Sequence, residues 1–383
     1  MAWSTSAAVY ANLRVWAILY VAILHSGNRV KPLNYKANPV FDIYLHSGHI
    51  NSGWSTLRLS RYFSVPHHPF TTRRGGGPHL RDADDAASEA ATMKGMALRI
   101  PRGLAANCHK APERAAWLDR LPDVLRDLEC RWSLTLDTPL DGEEVSCSYV
   151  AAVVRADGTP AVLKIGMPHM EGEHEIHGLR FWDGDPTVRL LMADDDLGAM
   201  LLERCEPGTV LRELPESEQD VVISGLLRRM WRAPSAQHRF RPLSALAEYW
   251  SDETLAHIKQ WPDTGLVREG LRLLTELPRT ASTELVLATD LHAGNVLRAE
   301  RQPWLVIDPK PFIGDPAYDA TQHLFNCSAR LRSDPEGTIR SFADLLGVDH
   351  ERVRLWTFAR AAAEPRDDWN NGDLVALARE IAP

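Results

Sequence analysis

The chain has 383 residues, of which 44% are hydrophobic and 25% are charged. This composition is that of an ordinary globular protein, and at about 150 residues per domain the length allows two or three folding units. The net charge of −8 argues against a general nucleic-acid-binding protein, because such a protein needs a basic surface to neutralise phosphates. The five cysteines are scattered and form no C-x-x-C pair. They therefore indicate neither a zinc knuckle nor a disulfide framework, and they favour a reducing cytosol.

The first 80 residues differ in charge from the rest of the chain. They contain eight Lys or Arg and one acid, a net charge of +7, whereas residues 81–383 contain 35 basic and 50 acidic residues, a net charge of −15. Their strongly apolar run, Val15 to Leu24, has ten residues, and a membrane span needs about 20. A signal or anchor segment, an accessory module and a poorly ordered extension are the open interpretations. We favour the extension, covering residues 1–95, with the functional protein beginning near Met93 or Met96.

Residues 96–205 show the pattern of a small sheet that carries helices. Apolar residues recur near 3.6-residue spacing in the predicted helices, and short β-rich runs are bounded by turn signals such as Asp157-Gly158. The predicted helices are residues 112–128 and 170–182. The predicted strands are residues 132–136, 149–154, 161–165, 188–192 and 199–203.

Helical periodicity dominates residues 206–383. The predicted helices are residues 215–232, 242–261, 266–277, 316–326, 335–346, 350–363 and 372–381. Short strands interrupt them at residues 285–289, 296–298 and 304–307. A sheet-rich half followed by a helical half predicts an α+β fold with two lobes, an N-lobe of residues 96–205 and a C-lobe of residues 206–383.

Three polar residues follow the short strands of the C-lobe. Asp290 ends an apolar strand, Asn295 begins the next, and Asp308 ends a third. One carboxylate can accept a proton from a hydroxyl, while an amide oxygen and a second carboxylate are ligands that suit Mg²⁺. Asp at a strand end is also a common turn former. The joint spacing nevertheless favours phosphoryl transfer, which needs positioning and charge neutralisation.

The N-lobe supplies a second set of charged residues. Lys164 lies inside the apolar run Ala161 to Ile165, and a buried ammonium needs an anionic partner. Glu175, eleven residues further on in the next predicted helix, is the favoured partner, and Glu171 and Glu173 are alternatives. The pair resembles the strand Lys and helix Glu that hold nucleotide phosphates in kinases.

These motifs, in this order and spacing, resemble the aminoglycoside phosphotransferases of the protein-kinase-like fold. Longer segments are similar to the streptomycin 6-phosphotransferase and hydroxyurea phosphotransferase branch of that family. They are His174 to Trp182, Leu201 to Gly208, Ala288 to Arg298, Ile307 to Pro316 and Ala361 to Trp369. The resemblance covers about residues 97–383 and is specific because the motifs occur together.

The resemblance implies a role for each matched residue. Asp290 would be the catalytic base, with Asn295 and Asp308 as metal ligands. Lys164 would contact ATP phosphates and Glu175 would orient it, while the backbone from Glu203 to Cys205 would meet the adenine. Two features depart from the general kinase pattern. His292 follows the base instead of preceding it, and the loop 142–149 lacks G-x-G-x-x-G, so that it would cover phosphates by backbone amides.

The acceptor is less well defined by the residues. An aminocyclitol with guanidinium groups needs carboxylates near the transfer site, and the net charge of −15 after residue 80 suits a cationic substrate. Ordinary helix-surface and N-cap roles are the alternative for each candidate. The candidates are Asp315, Asp319, Glu364, Asp367 and Asp368.

We therefore predict a cytoplasmic, monomeric kinase that uses ATP and Mg²⁺ and has no nucleic-acid or membrane partner. The expected substrate is an aminoglycoside, with streptomycin phosphorylated at its 6-hydroxyl and thereby inactivated. A kinase for another small hydroxylated compound such as hydroxyurea is the first alternative. A catalytically silent nucleotide-binding regulator is the second, and a metal-dependent hydrolase built on His292, Asp308 and Asp315 is the third.

Overall fold

The computed structural model describes residues 99–140, 147–366 and 371–383. These residues belong to one compact unit, residues 81–383. The predicted extension, residues 1–95, and most of the predicted phosphate-covering loop, residues 142–146, lie outside the described residues. Within the described ranges, no helix is long and apolar enough to cross a membrane.

The N-lobe contains one five-stranded antiparallel sheet with the strand order β1-β2-β3-β5-β4. Its strands are β1 (Leu134–Pro139), β2 (Ser148–Arg155), β3 (Pro160–Gly166), β4 (Leu190–Asp194) and β5 (Ala199–Glu203). Its helices are α1 (Arg102–Cys108), α2 (Pro112–Trp132) and α3 (Glu175–Trp182).

The two faces of this sheet have different partners. Leu163 and Ile165 of β3 pack with Leu121 and Leu125 of α2 in one buried cluster. Because side chains alternate along a strand, Lys164 between them lies on the opposite face. That face carries α3, and the register places Lys164 opposite Val150 of β2 and Met200 of β5.

The C-lobe is mostly helical. Its helices are α4 (Glu216–Met230), α5 (Leu243–Ala256), α6 (Thr264–Glu276), α7 (Pro316–Asn326), α8 (Ser328–Ser333), α9 (Pro335–Leu346), α10 (His350–Ala363) and α11 (Gly372–Glu380). Its strands are β6 (Pro207–Val210), β7 (Leu285–Leu287), β8 (Val296–Ala299), β9 (Leu305–Val306) and β10 (Phe312–Gly314). They form a three-stranded sheet, β6-β8-β9, and a pair, β10-β7.

The C-lobe core surrounds α10. Val353, Trp356 and Phe358 of this helix are fully buried. Helix α6 approaches it closely because Gly270 has no side chain, and a Cβ there would lie 2.8 Å from Cβ of Ala363. The short strands next to the predicted site residues pack against this helical core.

The predicted sheet-rich and helical halves are confirmed, and the bounds of α7, α9 and α10 agree with prediction. Several bounds in the N-lobe differ, and the two largest differences concern its helices. Helix α2 continues to Trp132 and ends at Ser133, which has a left-handed φ of 51°, so β1 begins later than predicted. The helix predicted to begin at residue 170 begins at Glu175. Helices α1 and α8 and strands β6 and β10 were not predicted.

Candidate active site

A cavity of about 1520 Å³ is lined by residues from both lobes. Strand β3 and helix α3 contribute Lys164 and Glu175 from the N-lobe. The loops that follow β7 and β9 contribute residues from the C-lobe, and all of the predicted site residues line this cavity. They are Lys164, Glu175, Glu203, Cys205, Asp290, Asn295 and Asp308.

Lys164 forms the centre of an ion-pair cluster with buried Glu175 and partly exposed Asp308. Its Nζ lies 2.6 and 2.7 Å from the two carboxylate oxygens of Glu175 and 2.6 Å from Oδ1 of Asp308. The side chains of Lys164 and Glu175 are only 8% and 6% exposed. The predicted pairing of Lys164 with Glu175 is therefore present, and these contacts use all three ammonium donors.

The charges in this cluster depend on one another. Burial lowers the pKa of Lys164, but Asp308 and Glu175 outweigh burial and raise it. Burial raises the pKa of Glu175 to about 7, and Lys164 offsets only part of that rise. Burial also tends to raise the pKa of Asp308, yet the charges of Lys164 and Lys310 lower it below its ordinary value. Lys164 and Asp308 are therefore charged at neutral pH.

Asp290 lies directly beyond β7 and is held by two side chains. Lys310 Nζ forms an ion pair with Oδ2 of Asp290, and Gln322 Nε2 donates a 2.8 Å hydrogen bond to Oδ1. The preceding residue, Thr289, has a left-handed φ of 51°, which is unfavourable for a β-branched residue. The backbone therefore turns sharply here and presents the Asp290 carboxylate to the cavity.

Buried Asp319 stabilises this turn. Its Oδ2 accepts hydrogen bonds from Ala288 N at 3.0 Å and from Trp231 Nε1 at 2.9 Å, and its Oδ1 accepts one from Thr289 N at 2.8 Å. The carboxylate of Asp319 on α7 thus satisfies the backbone donors that precede the predicted base.

Asn295 ends a 3-10 turn, Ala293–Asn295, that His292 caps by accepting a 3.0 Å hydrogen bond from Gly294 N. The Asn295 Nδ2 donates to the carbonyl of Asp290 at 3.1 Å, so its Oδ1 points away from that carbonyl. The backbone carbonyl of Asn295 also accepts from Ile307 N at 2.9 Å. This bond keeps Asn295 next to the loop that carries Asp308.

These two residues fit a hard divalent cation. An ionised carboxylate at Asp308 and the amide oxygen of Asn295 are the oxygen donors that Mg²⁺ prefers, and Mg²⁺ completes its coordination with waters and phosphate oxygens. The left-handed φ of 53° at Asp308 is a strained conformation of the kind found at ligand-binding loops.

Glu203 and Cys205, whose backbone is predicted to meet the adenine, both line the cavity but have different surroundings. Both carboxylate oxygens of Glu203 accept hydrogen bonds from Arg301, at 2.8 to 3.2 Å, and Oε2 also accepts one from Arg189 N at 3.0 Å. Burial raises the pKa of Cys205 to about 11, so its thiol is neutral. Neither side chain therefore offers an unpaired charge to the cavity.

The structure contradicts two of the predicted acceptor carboxylates. Asp315 is 5% exposed, caps α7 through Ala317 N, and also accepts from Arg352 and Trp356. Asp319 is 1% exposed and supports the turn before Asp290. Both are occupied by protein donors, because a buried carboxylate is stable only when its lone pairs are satisfied. Neither lines the described cavity, which also removes Asp315 from the hydrolase alternative.

Glu364 is the remaining described candidate. It accepts hydrogen bonds from Arg360 at 2.7 and 2.9 Å, and its side chain is 28% exposed. It lines a second cavity, of about 400 Å³, which shares Gln322 with the first. Asp367 and Asp368 lie outside the described residues.

Sequence reasoning missed three residues around Asp290. Lys310 belongs to a recognised motif but received no role, and nothing in the sequence indicated Gln322 or Arg360. Arg360 donates to Gln322 Oε1 at 2.8 Å and lies over the rings of Trp250 and Tyr318, at 5.3 and 5.2 Å. A chain of contacts therefore runs from Arg360 through Gln322 to the carboxylate of Asp290.

Comparison with known proteins identifies the class of enzyme. The family model described as "Aminoglycoside/hydroxyurea antibiotic resistance kinase" matches residues 131–368. The chain is 35% identical over 290 residues to a streptomycin 6-kinase of Streptomyces glaucescens, covering 73% of this chain and 93% of that protein. It is 33% identical over 314 residues to a hydroxyurea phosphotransferase of Kitasatospora aureofaciens, covering 78% and 91%. A choline kinase structure from Streptococcus pneumoniae is similar with a TM-score of 0.48 and 13% identity, over 69% of this chain and 99% of that one.

The two-lobed structure with its cavity of paired lysines and carboxylates is thus that of a kinase, an enzyme that uses ATP. The chain belongs to the aminoglycoside/hydroxyurea antibiotic resistance kinase family. The predicted family and the predicted fold class are confirmed.

Proposed function

We propose that this kinase transfers the γ-phosphoryl group of ATP to the 6-hydroxyl of streptomycin and thereby inactivates the antibiotic. The observation that carries the proposal is the meeting of Asp290, Asn295, Asp308 and Lys164 in one cavity between the lobes. The likeness to a streptomycin 6-kinase over 93% of that protein supports the choice of acceptor.

Asp290 acts as the general base in this proposal. It accepts the proton of the substrate hydroxyl while the hydroxyl oxygen forms a bond to the γ-phosphorus. The bond from that phosphorus to the bridging oxygen breaks, and its electron pair remains on ADP. Gln322 and Lys310 hold the two oxygens of Asp290, so the carboxylate is positioned before the acceptor arrives.

Glu175 keeps the ammonium of Lys164 in place, and the donor that now contacts Asp308 would be available to a nucleotide phosphate when Asp308 holds the metal. Asn295 and Asp308 would hold Mg²⁺, which supplies charge neutralisation on the phosphates when it is bound. The backbone between Glu203 and Cys205 lies where the two lobes join and meets the adenine.

We expect the enzyme to act as a monomer in the cytoplasm, with residues 1–95 outside the catalytic unit.

The charge around Asp290 favours a cationic acceptor. Glu171 and Glu364 are close enough to Asp290 and to each other for their charges to interact, and burial raises the pKa of Glu171. Lys310 pairs with Asp290 and Arg360 pairs with Glu364, whereas Glu171 has no ion pair among the described residues. A guanidinium group next to Glu171 would supply that partner. Hydroxyurea carries no such cation, and this difference is the reason for preferring streptomycin.

The test measures ATP consumption by the full chain with streptomycin, with hydroxyurea and with neither. We expect streptomycin-dependent turnover and a product with one phosphate at the 6-hydroxyl, located by NMR. Asp290→Asn should lower kcat by at least about 100-fold. Asp344→Asn, at an exposed position of α9, is the matched control and should behave as the native enzyme.

Each other result has a defined meaning. Turnover with hydroxyurea alone would assign the enzyme to that acceptor. Nucleotide binding without turnover on either compound would favour the silent regulator. Normal turnover by Asp290→Asn would exclude Asp290 as the base.

A further inference from the structure

Two lysines, Lys164 and Lys310, line the cavity and differ in how they use their donors. Lys164 places all three ammonium donors on Glu175 and Asp308. Lys310 has a side chain that is 14% exposed, and among the described residues its ammonium has one hydrogen-bond partner, Oδ2 of Asp290. Since an ammonium has three donors, two donors of Lys310 have no partner in the described part of the chain.

The backbone fixes Lys310 at this position. Its N–H donates to the carbonyl of Ala288 at 3.0 Å, and its carbonyl accepts from Oγ1 of Thr289 at 2.5 Å. The loop carrying Asp308 is thus tied to the strand end that carries Asp290. The ammonium consequently stays beside the base and cannot be explained as a mobile surface charge.

The surroundings of Lys310 favour its charged form. Its ammonium forms an ion pair with Oδ2 of Asp290, and a carboxylate partner stabilises an ammonium in its charged form. A buried cation with unused donors, lining a cavity, is a group that binds an anion. The anion that phosphoryl transfer brings next to the base is the γ-phosphoryl group.

We propose that Lys310 is a second phosphate-binding cation, which contacts the γ-phosphoryl group during its transfer while Lys164 serves the other nucleotide phosphates. This inference rests on the proposed role of Asp290 as base. Lys310 keeps its proton throughout: the hydroxyl proton goes to Asp290, one P–O bond forms to the acceptor, and one breaks towards ADP. Lys310 donates hydrogen bonds to the phosphoryl oxygens, on which charge is spread in the transition state.

The test separates binding of the γ-phosphate from positioning of the base. The full chain is titrated by calorimetry with ADP and with the non-hydrolysable β,γ-imido analogue of ATP, each with MgCl2. Lys310→Met should lower the affinity for the analogue by about 10- to 100-fold, the loss expected for a hydrogen bond to a charged group. It should leave the affinity for ADP nearly unchanged. It should also lower kcat by about 100-fold or more. Lys259→Met, at an exposed lysine, is the matched control and should change neither affinity.

A double variant tests whether Lys310 acts only through Asp290. If Lys310 contacts the phosphate, Asp290→Asn with Lys310→Met should bind the analogue more weakly than Asp290→Asn alone, by a factor close to that of Lys310→Met. Equal analogue binding by these two variants would overturn the inference. The double variant removes both charges of the pair, which guards against misfolding from one unpaired charge. Normal turnover by Asp290→Asn would instead refute the proposed role of Asp290 as base, so the two failures are distinguishable.

Discussion

Asp319 supports the backbone before the predicted base, and its replacement is the most informative test of how the fold positions the site. Its carboxylate receives the N–H groups of Ala288 and Thr289 and the indole N–H of Trp231. Asp319→Ala removes every acceptor for these three donors. Asp319→Asn keeps the size of the side chain but replaces one oxygen with an NH2 group.

The two variants should differ in stability by an amount that follows from the donors left unsatisfied. An unsatisfied buried donor costs about 1–3 kcal/mol, so Asp319→Asn, which leaves one donor facing an NH2 group, should lower the free energy of unfolding by that amount. Asp319→Ala leaves three donors unsatisfied. Because such costs are not additive, we expect the free energy of unfolding to fall by about 3–5 kcal/mol. This is a large part of the 5–15 kcal/mol that typically stabilises a domain, an order-of-magnitude range.

Activity should fall together with stability. The left-handed φ of Thr289 costs on the order of 1–3 kcal/mol, and the two backbone hydrogen bonds to Asp319 offset it. Without them the turn relaxes and Asp290 moves, and a displacement of about 1 Å can lower a rate by about 100-fold.

The assay is urea unfolding followed by tryptophan fluorescence, together with kcat at saturating substrates and at a temperature where each variant is folded. Asp344→Asn on α9 is the control for the loss of one exposed carboxylate. If Asp319→Ala unfolds at the same urea concentration as this control, the three hydrogen bonds do not support the turn. An unchanged kcat in the folded variant would refute the positional argument separately.

Three further predictions follow from the same contacts. Glu175→Gln removes the carboxylate that holds the ammonium of Lys164 and should lower kcat/KM for ATP by about 100-fold. An unchanged kcat/KM would contradict a role for this ion pair in positioning Lys164. Burial raises the pKa of Asp319 to about 6, so its stabilising contribution is complete below about pH 4 and is lost as the pH rises through about 6. The native enzyme should therefore exceed Asp319→Asn in stability by about 1 kcal/mol more at pH 5 than at pH 7 in urea unfolding. Gly178→Ala should destabilise the protein by about 1–3 kcal/mol, because its Cβ would lie 2.9 Å from Cγ of Pro311. Gly225→Ala, in a helix with nothing within 4 Å, should instead stabilise it by about 0.5–1 kcal/mol in thermal unfolding, and equal effects at both sites would contradict the packing.

The parts of the fold that could be predicted are those with local causes. Helices α7, α9 and α10 begin after Asp315, Asp334 and Asp349, whose side chains accept hydrogen bonds from backbone N–H groups of the first turn, and N-cap residues of this kind are visible in a sequence. The unpredicted strands β6 and β10 have four and three residues. They exist through pairing with β8 and β7, and no local pattern indicates such a partner.

The loop before α3 shows how a tertiary contact overrides a helical pattern. Residues 170–174 have helical spacing, yet the carbonyl of Met170 accepts from Arg241 and the carboxylate of Glu173 pairs with that arginine at 2.9 Å. These contacts with the C-lobe hold the segment as a loop and delay the helix to Glu175. The later start places Glu175 in the first turn, where a carboxylate is favoured by the helix dipole.

The same distinction between local and distant causes applies to the site. Lys164, Asp290, Asn295 and Asp308 could be predicted because each stands out within a short segment, either as a charge in an apolar strand or as a polar residue at a strand end. Gln322 and Arg360 lie in ordinary amphipathic helices, and their roles come from contacts between α7 and α10. The role that we propose for Lys310 depends on a further observation, namely how many of its ammonium donors have a hydrogen-bond partner among the described residues. A sequence can indicate which carboxylates are candidates for chemistry, but the cations that hold them become visible only when distant elements meet.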